Sequence, residues 1–262
     1  MGAAMAIGRL AMAVEAFKWI YENKRILAFL VFFGLCIACI VWCLVEHSKL
    51  DELRKVQFTP IRQVEGFQKI RAGRNSYKVH EDLENPEEAA QLMDKLNTTA
   101  TTLIDYLLGK FNNPAALEHI VPSKRATVLR GIRDLKAKFK TASLEENIPS
   151  RSGGDTSYVI DKGEVFAMCL RDPKNNNKID DKYNNLVFVL LHELAHMANF
   201  VSFGHDMPFW NMFKFLLQEA TELGIYQPVN YKQTGSPCCG IVITYSPLFD
   251  GALSEWHASP PS

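Results

Sequence analysis

Residues 186–210 read LVFVLLHELAHMANFVSFGHDMPFW, and inside this run His192, Glu193 and His196 spell H-E-x-x-H. On a helix, residues four apart lie on one face. Two imidazoles at that spacing can grip a single zinc ion. Glu193 follows the first of them, so it can reach a water at the metal without being a ligand. That is where a general base has to stand. Leu186, Val187, Val189, Leu190, Leu191, Leu194, Ala195 and Ala198 make the segment apolar nearly all round, the pattern of a buried helix. Ionisable groups on such a helix are costly unless they are paired or metal-bound.

A catalytic zinc usually has three protein ligands and one open position. Three candidates follow His196: His205, Asp206 and, one helix further on, Glu219. His205 ranks first, because a histidine in a short turn after Gly204 can swing back to a metal near the last two helical turns. Asp206 reads better as the N-cap of a helix opening at Pro208. That helix runs to Leu223, with Phe209, Met212, Phe213, Leu216, Ala220 and Leu223 inward and Gly224 as its stop.

Outward from the motif, Ser157–Ile160 and Gly163–Arg171 predict a β-hairpin across Asp161-Lys162. The strand over Val165–Leu170 is expected to line the cleft and offer its edge to an extended substrate. Asp172–Asn185 reads as a polar connection, and Gly240–Tyr245 (GIVITY) as a last strand. Tyr226 and Tyr231 are the candidates for steadying an oxyanion. Further upstream, Asn85 as N-cap, Pro86 in the first turn and Glu87 and Glu88 at the positive end mark a helix. Its inner stripe is Leu92, Leu96, Thr99, Leu103 and Leu107, and Asn112-Asn113-Pro114 stops it. A second helix starts near Ser123, with Leu129, Ile132, Leu135 and Phe139 inward and a basic, solvated outer face from Lys124 to Lys140.

Ile26–Val45 is a run of twenty residues without a charge, the length of one bilayer crossing. Lysines and arginines balance on its two sides, so the positive-inside rule does not orient it. Residues 1–25 hold an amphipathic stretch suited to a membrane surface. Residues 46–84 read as a charged helical stalk with a loop around Arg71–Asn75. Residues 151–262 carry 8 basic and 12 acidic side chains, so the catalytic part has no basic excess for a phosphate backbone, and nucleic acid is not an expected partner. Six cysteines are present. Cys36, Cys39 and Cys43 lie in the apolar run, which leaves Cys169, Cys238 and Cys239, an odd number that implies no disulfide framework. Cys238-Cys239 reads as a pair of small buried residues near a strand rather than a second metal site.

HELAH, then Gly204-His205-Asp206, then Phe209-Trp210 resembles the WLM and SprT-like zinc metallopeptidases over roughly residues 150–225. The resemblance implies His192, His196 and His205 as zinc ligands and Glu193 as the catalytic base. Eight residues separate His196 from His205, more than in the family pattern, and an extra helical turn before Gly204 would absorb them. The run from Cys169-Leu170-Arg171-Asp172 through HELAH to the strand at Cys239 is also similar to WLM-type peptidases of large DNA viruses, which implies an anchor in a viral internal membrane. The expected protein is therefore α+β. It has an N-terminal segment (1–25), a transmembrane helix (26–45), a stalk (46–84) and a zincin-like domain (85–262) with a helical part (85–142) and a catalytic core (150–246). Its expected function is Zn2+-dependent hydrolysis of a protein or peptide substrate at a bilayer. The alternatives are a catalytically silent structural membrane or virion protein and a protease for DNA-crosslinked proteins.

Overall fold

A computed structural model describes residues 66–258, apart from 140–142 and 203, together with scattered positions between 12 and 42. The chain divides into two units, Met1–Arg62 and Gln63–Ser262. In the first, the amide and side chain of Asn23 both donate to the Trp19 carbonyl, at 3.0 and 2.9 Å. Most of the expected transmembrane helix, and the expected stalk up to residue 65, lie outside the described residues. Among those described, no helix is long and apolar enough to cross a membrane.

The second unit is α+β, as expected. Its mixed five-stranded sheet has the order β1-β2-β3-β5-β4, with β1 Phe67–Ala72, β2 Asn75–His80, β3 Ser143–Asn147, β4 Tyr158–Ile160 and β5 Val165–Cys169. β1–β2 and β4–β5 are antiparallel, while β3 runs parallel to both β2 and β5. Residues 67–80 are thus a hairpin of the main sheet and not the end of a helical stalk, and the folded unit begins well before residue 85. Gly73-Arg74 makes the two-residue turn, with Gly73 at φ 58°, where a Cβ would meet the Asp94 carboxylate at 2.5 Å. Such a turn closes antiparallel strands tightly and takes glycine readily at positive φ.

Six α-helices stand among the described residues of the unit: α1 Pro86–Phe111, α2 Pro114–Glu118, α3 Arg125–Phe139, α4 Tyr183–Ala198, α5 Met207–Glu222 and α6 Tyr231–Thr234. α1 starts and stops where its sequence signals lie. However, Asn85 sits at φ 56° and its side chain makes no cap; its carbonyl accepts from the Ala89 amide instead. Leu96, Leu103 and Leu107 are buried, whereas Leu92 and Thr99 are half-buried beside Met93 and Ala100. α4 is buried nearly all round, as its composition predicts, and packs between α3 and α5. Both neighbours carry a buried apolar face: Val128, Ile132 and Leu135 on α3, Phe209, Phe213 and Leu216 on α5.

Two further hairpins flank the sheet. β6 (Arg171–Asp172) pairs with β7 (Lys178–Ile179) inside the expected polar connection, and β8 (Ser236–Cys238) pairs with β9 (Ile241–Ile243). Cys239 at φ 54° and Gly240 at φ 78° form the second turn, and a Cβ on Gly240 would sit 2.7 Å from Pro173 Cγ. This turn carries a correction. Cys169 at the end of β5 and Cys239 form a disulfide, so the odd cysteine count hides one bridge. Cys238 is the free cysteine among the described residues. Burial, with Asp180 adding to it, pushes its thiol up to about 12, which leaves it un-ionised and inert.

Candidate metal centre

His192 and His196 stand one turn apart on α4, and the chain leaves this helix at Ala198 without the extra turn expected before Gly204. The residues between Ala198 and Met207 form a pinned loop instead. Asn199 Oδ1 accepts from the Val201 amide at 3.1 Å, and Asn199 Nδ2 donates to Ser202 Oγ at 3.0 Å. Lys162, from the β4–β5 turn, donates to the carbonyls of Asn199 and Ser202. Asp206 then caps α5 by accepting from the Phe209 amide at 3.2 Å. Loop and cap together return His205 to the end of α4.

There the three Nε2 atoms converge. The separations are 3.3 Å for His192–His196, 3.1 Å for His196–His205 and 2.9 Å for His192–His205. The aromatic side chains of α5 hold the rings in place. Phe209 stacks on His196 at 4.2 Å and meets His192 edge-on at 4.9 Å, Phe213 meets His192 at 5.3 Å, and Trp210 stacks on His205 at 5.6 Å. Burial among these rings lowers all three pKa values, His192 to about 3 and His196 to about 4, with the neighbouring imidazoles adding to both shifts. All three are therefore neutral near pH 7.

Three neutral imidazoles this close cannot satisfy one another. Each Nε2 offers either one N–H or one lone pair, so at least one of the three contacts sets like against like. A cation at the centre satisfies all three lone pairs at once. A tetrahedral zinc with bonds of about 2.05 Å places its nitrogens roughly 3.3 Å apart, close to the observed triangle. The donor set therefore fits a zinc-type ion, and these three residues form the cluster able to hold a metal among the described residues.

Glu193 is buried beside His192 and has no ion-pair partner among the described residues. Burial, with the Asp155 charge adding to it, pushes its carboxyl up to about 8. It lines a cleft of about 430 Å³ together with His192 and His205. The rest of its lining comes from Gly154–Ser157, from Phe188, Val189, Trp210 and Phe213 on α4 and α5, and from Ile241, Ile243, Thr244 and Tyr245 on and after β9.

The other candidates lie elsewhere. Glu219 is buried in an ion pair with Lys110 at 2.8 Å and 2.7 Å from His257 Nε2. Tyr226 and Tyr231 pack on Phe188 at 6.1 and 4.8 Å and line no part of the cleft, and Tyr231 donates to Asn185 Oδ1 at 3.1 Å. The tyrosine that does line it is Tyr245, its hydroxyl donating to Asp250 Oδ2 at 2.8 Å. The alternation Ile241, Ile243, Tyr245 was the signal for it. The expected cleft strand β5 is interior to the sheet. β4 is the edge strand on that side, beside α4.

An α+β domain that closes three histidines over a buried glutamate is the class these observations define. The family described as WLM domain matches residues 124–248. An uncharacterized protein of Acanthamoeba polyphaga mimivirus is 33% identical over 168 residues, 64% of this chain and 77% of that protein. An uncharacterized protein of Invertebrate iridescent virus 6 is 40% identical over 73 residues, 28% of this chain and 40% of that protein. No solved structure matches the chain. The chain belongs to the WLM-domain family, with relatives in large DNA viruses.

Proposed function

We propose that the protein is a membrane-anchored, zinc-dependent metallopeptidase with a zincin-like catalytic domain. The convergence of three neutral imidazoles beside a buried, unpaired glutamate in one cleft carries this reading. Membership of a family associated with peptidases supports it.

His192, His196 and His205 would hold the metal through Nε2. Zinc, when bound, supplies Lewis acidity, lowering the pKa of a water and polarising a carbonyl. Glu193 takes the proton of the attacking water and returns it to the leaving amine nitrogen. Its raised pKa makes it a stronger base than an exposed glutamate once ionised, and a metal cation held by the neutral histidines would favour that ionised form. Phe209 and Phe213 keep bulk water from the inner face of the imidazoles. An extended substrate pairs with the outer edge of β4, which no other strand covers among the described residues.

The anchor is residues 26–45, proposed from their uncharged sequence. The membrane is proposed to be a viral internal one, since the relatives are proteins of large DNA viruses. Nucleic acid is not proposed as a partner. No lysine or arginine lines the cleft. The basic face of α3 is also largely engaged, with Lys136 on Asp105, Lys138 on Asp134 and Arg130 over the Phe200 ring.

The test is zinc content and peptide hydrolysis of the full-length chain in detergent, wild type against Glu193→Gln. One zinc in both and hydrolysis only in the wild type is expected. A fully loaded wild type that cleaves nothing in a broad peptide library supports the silent structural protein instead. Retention of the full chain in membranes through a carbonate wash checks the anchor.

A further inference from the structure

We propose that the cleft selects peptides with a large apolar side chain directly beside the scissile bond, received by Ile241, Ile243, Val189, Trp210 and Phe213. This rests on the peptidase reading and names its substrate class.

The wall follows from strand geometry. Alternate residues of a strand face the same side, so Ile241 and Ile243 both line the cleft, while Val242 between them is not part of its lining. To the same lining α4 contributes Val189 and α5 contributes Trp210 and Phe213. These five surfaces belong to the same cleft as His192 and Glu193, so a side chain resting on them is next to the reacting carbonyl. The acidic side chains of the lining are Glu193 and Asp155. An acidic substrate side chain would meet like charge there, and a small one would leave the wall wet. Ile241 is 50% exposed, apolar surface that a bound side chain would cover. The volume of about 430 Å³ is at the small end of ligand sites, enough for one bulky side chain and its backbone.

Apolar pockets of this kind discriminate by roughly ten- to hundredfold between a filling side chain and a small one. Two readouts on the full-length, zinc-loaded chain test the idea. In the wild type, cleavage sites in a proteome-derived peptide library are sequenced. Enrichment of Leu, Ile, Met, Phe or Trp at one position flanking the cut is expected, with Asp and Glu depleted. In the Glu193→Gln variant, the affinities of peptides differing only by Phe, Gly or Asp at that position are measured. Phe is expected to bind at least tenfold tighter than either. Ile241→Glu, at a half-exposed position that tolerates a polar side chain, should transfer the preference to Lys and Arg. Side-chain discrimination in binding without any cleavage would keep the subsite and remove the peptidase. Cleavage without a flanking preference, or an Ile241→Glu profile identical to wild type, would overturn the subsite and leave the peptidase standing.

Discussion

Glu193 on α4 and Glu219 on α5 are both buried, with 4% and 0% of their surface exposed, and their surroundings are opposite. Glu219 has Lys110 at 2.8 Å and His257 at 2.7 Å, and Lys110 also reaches Glu222 at 2.7 Å. Burial alone would lower the Lys110 pKa, but the hydrogen bonds it donates to the two glutamates raise it above its ordinary value. Around Glu193 there is no cationic side chain among the described residues, only three neutral imidazoles whose ring nitrogens crowd one point. A third buried glutamate, Glu146, repeats the Glu219 pattern. It accepts from Arg171 Nε at 2.6 Å and from the His80 amide at 2.8 Å, while Arg171 also donates to the Glu84 and Asn177 carbonyls. A buried charge whose partners come from the protein ties elements together. One left unpartnered beside a cluster of lone pairs is arranged for a cation and a proton.

The strongest way to break this comparison is Glu193→Gln. Glutamine keeps the shape and has no useful basicity, so hydrolysis should fall by about 10²–10⁴-fold with zinc content and melting temperature retained. An unchanged rate would make Glu193 as chemically idle as Glu219. Next, His205→Ala should strip most of the zinc, whereas Glu219→Gln should leave zinc stoichiometry untouched. Metal analysis of the two variants side by side separates a ligand from a structural carboxylate. Glu219→Gln should act on folding instead, costing about 2–4 kcal/mol in denaturant unfolding because Lys110 loses its buried partner. The smallest effect belongs to an exposed pair. Arg151 donates to both Asp82 oxygens and, as the largest cause, holds the Asp82 pKa down to about 2. Asp82 is 53% exposed, so Asp82→Asn should cost at most about 1 kcal/mol at pH 7. A folded pKa below the unfolded value of about 3.9 stabilises above that pH and is lost as pH falls toward 2. The difference between variant and wild type should vanish over that window.

The parts of the molecule legible in sequence are those dictated by neighbours. The apolar run around H-E-x-x-H, the Asp206 cap and the β4–β5 hairpin all rest on contacts a few residues apart. The approach of His205 to His192 and His196 was legible because its loop is short. What escaped depends on distant partners. β3 (SLEEN) looks too charged for an interior strand, and Glu146 is tolerable there only because Arg171 arrives from 25 residues away. β1 and β2 alternate weakly because Lys69, Arg71 and Lys78 interrupt their apolar faces, although Gly73-Arg74 was a usable turn signal. Tyr226 and Tyr231 were close enough in sequence to suggest the site, but they turn into the core against Phe188. Tyr245 reaches the cleft on β9's continuation.

The bridge between Cys169 and Cys239 joins residues 70 apart, and every one of His192, Glu193, His196 and His205 lies between them. The candidate site is therefore enclosed in a covalent ring. A nick anywhere in that ring, for instance by a protease at the exposed Val201 and His205 in the loop between α4 and α5, would leave the two pieces joined. Such a clipped molecule would run as a single band on a gel without reductant and as two bands with it.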